Sequence, residues 1–127
     1  MEFAALATVL ILIQYFAFTL MCGIARAKAG ISAPACSGDE QFERAFRVQQ
    51  NTLEQLIMVL PAIWICALFF RPDVAAICGV VFFVARFVYR ASYMNDPKTR
   101  TLGMSIGLLA TLTLFGTSLW GIVSKML

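Results

Sequence analysis

Long stretches of this chain carry no acidic or basic residue. Phe3 to Ala25 is free of charge over 23 positions and Thr101 to Ser124 over 24. Each exceeds the roughly 20 residues needed to cross about 30 Å of hydrocarbon. Between them, Gln55 to Phe70 and Val74 to Ala85 are uncharged over 16 and 12 positions. These are too short alone, but both continue helically through segments with a few regularly spaced charges, which predicts two further spans with polar ends. The expected helices cover about 3–27, 42–70, 74–94 and 99–124. No segment alternates as the strands of a closed barrel would. The expectation is an all-α, integral membrane, antiparallel four-helix bundle forming one domain over 1–127.

Punctuation agrees with that division. The first connection, about Ala27 to Gln41, holds Gly30, Ser32, Pro34, Ser37 and Gly38, the composition of a surface loop. A tight turn is expected at Arg71-Pro72-Asp73, and a third break at Met94-Asn95-Asp96-Pro97, where proline stops the helix. Ala25-Arg26-Ala27 resembles a small-x-small cleavage site, yet the uncharged run is longer than a signal-peptide core and Glu2 stands where a basic segment belongs.

Composition sharpens the class. Hydrophobic residues make up 61% and charged residues 13%, against roughly 25% charged in a soluble domain. There is no histidine and no CxxC pair, which argues against a zinc site and against histidine-based catalysis. Cys22, Cys66 and Cys78 fall in predicted spans and read as small apolar packing residues, with Cys36 in the first loop. In an antiparallel path, eight of the ten basic residues (Arg26, Lys28, Arg44, Arg47, Arg86, Arg90, Lys98, Arg100) lie at the end carrying the first and third connections. By the positive-inside rule that end is cytoplasmic. The net charge of +3 is then membrane topology, and no basic patch with interleaved aromatics points to nucleic acid.

The polar residues inside the spans carry the functional signal. Arg44, Arg47, Asn51 and Glu54 follow i, i+3, i+7, i+10 spacing, which places them within an arc of roughly 80°. Arg86, Tyr89, Arg90 and Tyr93 share one face of the third helix, and Arg26 and Arg100 complete a ring of cations at one level. Ionisable groups at such depth cost roughly 2.5–3.5 kcal/mol each, so they face a bundle interior or a wet cavity. Lys28, Arg44 and Lys98 are also explained by snorkelling to headgroups. Asn51 and Glu54 are not, because neither has a long stem. The convergent set suits a small anionic or zwitterionic ligand. Glutathione fits, as do other small anions: arginine forks bind its carboxylates, Glu54 its α-ammonium, Asn51 and Gln49 its amides.

The stretch Phe42-Glu43-Arg44-Ala45-Phe46-Arg47-Val48-Gln49-Gln50-Asn51-Thr52-Leu53-Glu54 resembles the second-helix signature of the MAPEG family, membrane-associated proteins in eicosanoid and glutathione metabolism. The likeness continues through Trp64, Gly79, Arg86, Tyr89, Tyr93 and Arg100, and is strongest to the family's second-type microsomal glutathione transferases and its leukotriene-forming synthase. It implies a homotrimer with glutathione held between subunits near the cytoplasmic surface. Arg26, Arg47, Asn51, Glu54, Arg86, Tyr89 and Tyr93 would hold the tripeptide, with Gln49 contributed by the adjacent protomer and Arg100 stabilising the thiolate. The implied activity is a membrane-bound glutathione transferase or peroxidase acting on lipophilic electrophiles or lipid hydroperoxides. Gln55, Ala27 and Leu112 depart from the leukotriene-forming pattern, and the compact chain resembles a bacterial version in the cytoplasmic membrane, although an endoplasmic reticulum setting fits equally. A non-catalytic lipid-presenting scaffold of the same family is the alternative, and a small channel or transporter would use the same intramembrane charges as an ion path.

Overall fold

The computed structural model describes every residue from Met1 to Leu127. Four long helices follow one another: α1 (Glu2–Ala29), α2 (Glu40–Phe69), α3 (Pro72–Asn95) and α4 (Thr101–Met126), with a 3₁₀ turn at Pro97–Thr99 before the last. Strands are absent. All four helical segments are long and apolar enough to cross a membrane.

Local chemistry sets the ends. α1 runs through Arg26 and Lys28, whose charges favour a helix C-terminus, and stops at Gly30 in a left-handed conformation of φ 69°. There the N–H groups of Gly30 and Ile31 donate back to the carbonyls of Ala27 and Arg26, closing the helix where a side chain would be strained. α2 starts earlier than its hydrophobic pattern because Asp39 caps it, its Oδ2 accepting from the Phe42 N–H at 2.9 Å. Pro72 opens α3 in the first turn, where its missing N–H costs nothing. Asp96 then accepts from the Lys98 N–H and holds the 3₁₀ turn that leads into α4.

The interior is built from small residues and the exterior from large ones. Only 31 of 127 residues are buried, many of them alanine, while Phe3, Ile57, Leu109 and Trp120 stand outside. That inversion suits helices whose outer faces meet lipid and whose inner faces approach closely. At Gly79 a Cβ would lie 2.9 Å from the Ala7 Cβ, so this glycine lets α3 settle on α1. At Gly103 a Cβ would lie 2.7 Å from the Tyr89 Cα, so α4 is pressed against the α3 backbone at the level of the site.

Polar contacts join the helices in pairs. The Gln14 side chain of α1 donates to the Phe83 carbonyl of α3 at 2.7 Å. Gln49 of α2 donates to the Tyr15 hydroxyl of α1 at 2.9 Å, and Ser118 of α4 reaches the Ala62 carbonyl of α2.

Candidate functional site

The site grows from one turn of α2. Thr52 donates its hydroxyl to the Val48 carbonyl at 2.7 Å, which leaves the oxygen's lone pairs outward as acceptors. Arg86 of α3 meets it there. Its Nη2 donates to Thr52 Oγ1 at 2.8 Å and to Asn51 Oδ1 at 2.9 Å. With its carbonyl end taken, the Asn51 amide keeps its NH2 as the free donor. Below the guanidinium lies the Tyr89 ring, 4.1 Å from Cζ to centroid, and Tyr93 follows at 5.6 Å between ring centroids. Tyr89 is fixed in turn by the close approach at Gly103.

Arg86 is only 3% exposed. None of the four ion pairs includes it, and its Nε–H is buried with no hydrogen-bond partner. A buried cation without a counter-charge is costly. Beside it opens a hollow of about 420 Å³, lined by Asn51, Gln55, Phe82, Arg86, Arg100, Thr101, Met104, Ser105, Gly107 and Leu108. That volume lies within the roughly 300–1,000 Å³ of small-molecule sites. One wall is cationic and hydrogen-bonding, the other apolar, and α2, α3 and α4 each supply part of it. Arg100, exposed at the start of α4, holds its guanidinium at the rim by donating to the Pro97 carbonyl at 2.9 Å.

The other residues expected at the site occupy distinct places. Arg47 and Glu54 face each other along α2 at 3.9 Å, both more than half exposed. Arg26 instead donates to the Ala35 carbonyl of the first loop at 2.7 Å and lies over the Phe42 ring. Gln49 is turned to Tyr15. Arg90 leaves the stripe for α1, its Cζ 5.7 Å from the Phe18 centroid. Arg44 binds the terminal α3 carbonyls of Met94 and Asn95 and pairs with Glu40, a helix-capping role that replaces the snorkelling expected for it. The single ring of cations is therefore divided within one chain: Arg86 and Arg100 meet at the hollow, while Arg26 and Arg90 do not.

Sequence reasoning did not single out Thr52, Thr101, Met104 and Ser105. Thr101, Ser105 and Leu108 follow i, i+4, i+7 spacing on α4, a spacing that ordinary helix-packing positions share.

Comparison with known proteins bears on what such a hollow serves. The family model described as "MAPEG family" matches residues 4–120. An uncharacterized protein of Synechocystis sp. is 41% identical over 110 residues, covering 87% of this chain and 80% of that protein. Human microsomal glutathione S-transferase 2 is 37% identical over 101 residues, 78% of this chain and 69% of that protein. Mouse leukotriene C4 synthase is 36% identical over 102 residues, covering 78% and 67% respectively.

Proposed function

The chain belongs to the MAPEG family, and from that premise we propose that it is an integral membrane glutathione transferase, with glutathione peroxidase activity toward lipid hydroperoxides. The observation that carries the reading is the buried, unpaired guanidinium of Arg86 beside a hollow with a second arginine at its rim. A ligand anion would supply the missing counter-charge.

In this reading Arg86 and Arg47 take the carboxylates of glutathione, Glu54 its α-ammonium, and the free NH2 of Asn51 a backbone carbonyl. Tyr89 and Tyr93, stacked behind Arg86, would offer their hydroxyls to the rest of the tripeptide. Arg26 and Gln49, which turn away from the hollow of their own chain, serve the site of a neighbouring protomer in a homotrimer. Contacts that run in opposite senses along neighbouring helices, Tyr15 with Gln49 and Arg26 with Phe42, then Asn51 with Arg86 and Arg44 with Met94, support an antiparallel path, which puts the arginine-rich end and the site on the cytoplasmic side of a bacterial membrane.

Arg100 is the catalytic residue. A thiol of pKa about 8.5 is mostly protonated at neutral pH, and a guanidinium beside it favours the thiolate. The proton leaves to water and the sulfur attacks the electrophilic carbon of a lipophilic substrate lying along Met104 and Leu108, whose leaving group departs with the bonding pair. With a hydroperoxide the sulfur attacks the terminal oxygen, the O–O bond breaks, and the alcohol leaves after protonation. A second glutathione then resolves the sulfenic acid to disulfide and water.

The test is the ultraviolet thiolate absorption of purified protein mixed with glutathione. Wild type should show the band, and Arg100→Ala should lose most of it while still binding glutathione. Turnover is measured with a halogenated aromatic electrophile and with a lipid hydroperoxide. Binding without turnover of either would instead assign the lipid-presenting scaffold.

A further inference from the structure

A second hollow, of about 510 Å³, opens between α1 and α3 and has no part in the site above. Met21, Ile24, Ala25, Lys28 and Ala29 of α1 line it together with Arg90 and Met94 of α3 and Asp39 and Gln41 at the start of α2. Its polar end holds two cations and one carboxylate. The carboxylate is held at α2, where Asp39 Oδ2 accepts from the Phe42 N–H, and against its one negative charge the two cations leave this end net positive. Neither cation is paired: Lys28 and Arg90 are in none of the ion pairs, and Arg90 is held only by the Phe18 ring. The apolar end runs onto Met21 and Ile24, exposed side chains on the outer face of a membrane-length helix.

Two free cations at the head of an apolar trough match a phosphate diester joined to acyl chains. Basic pockets between membrane helices at the positively flanked face bind anionic headgroups in this way. We propose that the hollow between α1 and α3 binds one anionic phospholipid, with Lys28 and Arg90 on the phosphate and Met21 and Ile24 along the first acyl segment. A soluble phosphate would use the cations but leave the apolar trough unused. The lipid would hold the C-terminal ends of α1 and α3 together at the same membrane level as the first hollow. The inference rests on this second set of residues and stands whether or not glutathione is the ligand of the first.

The experiment is native mass spectrometry of the full chain in neutral detergent, titrated with phosphatidylglycerol or with phosphatidylcholine of identical acyl chains. Phosphatidylglycerol should bind tightly and phosphatidylcholine should not. With roughly fivefold affinity attributable to each cation near the surface, Lys28→Gln should weaken phosphatidylglycerol about fivefold. Lys28→Gln with Arg90→Gln should weaken it about 25-fold, and Lys125→Gln at the far end of α4 should change nothing. Should the double variant fail to fold, the single Lys28→Gln comparison decides. Equal binding of the two lipids, insensitivity to Lys28→Gln, or displacement of the lipid by millimolar inorganic phosphate would each overturn the proposal. Glutathione affinity measured on the same samples separates this outcome from any failure of the first site.

Discussion

Replacing Arg86 with methionine removes a buried charge while keeping most of the side-chain volume, and its consequences for folding and for binding differ in size. In the free protein the guanidinium makes two hydrogen bonds through Nη2 and leaves Nε unpaired. Two charge-assisted bonds contribute about 3–6 kcal/mol. Against them stands the cost of a cation at membrane depth, about 2.5–3.5 kcal/mol. Thr52 keeps its bond to the Val48 carbonyl, and the half-buried Asn51 remains within reach of water from the hollow. The variant should therefore lose no more than about 3.5 kcal/mol of stability.

Binding should respond more sharply. Losing one charge-assisted contact to the ligand costs about 1.5–3 kcal/mol, which raises the glutathione Kd about 10- to 150-fold. At a concentration about one hundred times the wild-type Kd, ligand stabilisation should fall from about 2.7 kcal/mol to between about 0.3 and 1.4 kcal/mol. The assay is thermal unfolding in detergent with and without glutathione, with Kd measured by calorimetry. A variant that folds and keeps the full glutathione-induced shift would refute the view that Arg86 awaits a ligand anion.

Glu54→Gln should leave stability within about 1 kcal/mol, because its pair with Arg47 is long and exposed, yet weaken glutathione about tenfold; unchanged affinity in calorimetry would remove Glu54 from the site. Gly103→Ala forces a Cβ onto the Tyr89 backbone, an overpacking that should cost about 1–3 kcal/mol and lower both the melting temperature and glutathione affinity. Gln14 donates one bond to the Phe83 carbonyl but buries its Oε1 without a partner; the lost bond and the relieved oxygen are of similar size, so Gln14→Met should be neutral to within about 1 kcal/mol, checked by denaturant titration.

The four spans were legible because lipid demands long apolar runs whatever the packing inside them. Helix ends were less so: the pattern placed the start of α2 at Phe42, while the Asp39 cap moves it to Glu40. On α2, Arg47 and Glu54 meet at 3.9 Å as their spacing implies, since a single helix obeys one period, but Asn51 turns to Arg86 and Arg44 to the last carbonyls of α3. The α3 stripe divided because α3 packs against α1, α2 and α4 at once. A step of about 40° from Arg86 to Arg90 carries the second guanidinium out of the α2–α4 groove and onto Phe18. The α4 wall was hidden for another reason. Thr111, Thr113 and Thr117 donate to carbonyls four residues back, as membrane hydroxyls commonly do, so nothing in the sequence distinguishes them from Thr101 and Ser105 at the hollow.

Two glycines one turn apart explain why the hollow lies where it does. At Gly103 the helices touch backbone to backbone with no room for a methyl group, whereas at Gly107 a Cβ would sit at an ordinary 3.8 Å from Ala85 and 3.9 Å from Phe82. α4 is thus pinned to α3 at Tyr89 and stands slightly off by Phe82, and the cavity occupies that widening, with Met104 and Leu108 on its apolar side. The same pin sets the Tyr89 ring beneath Arg86. Helix separation and guanidinium position therefore depend on one contact, and a ligand that neutralises Arg86 would meet a wall already placed by packing rather than one it must assemble.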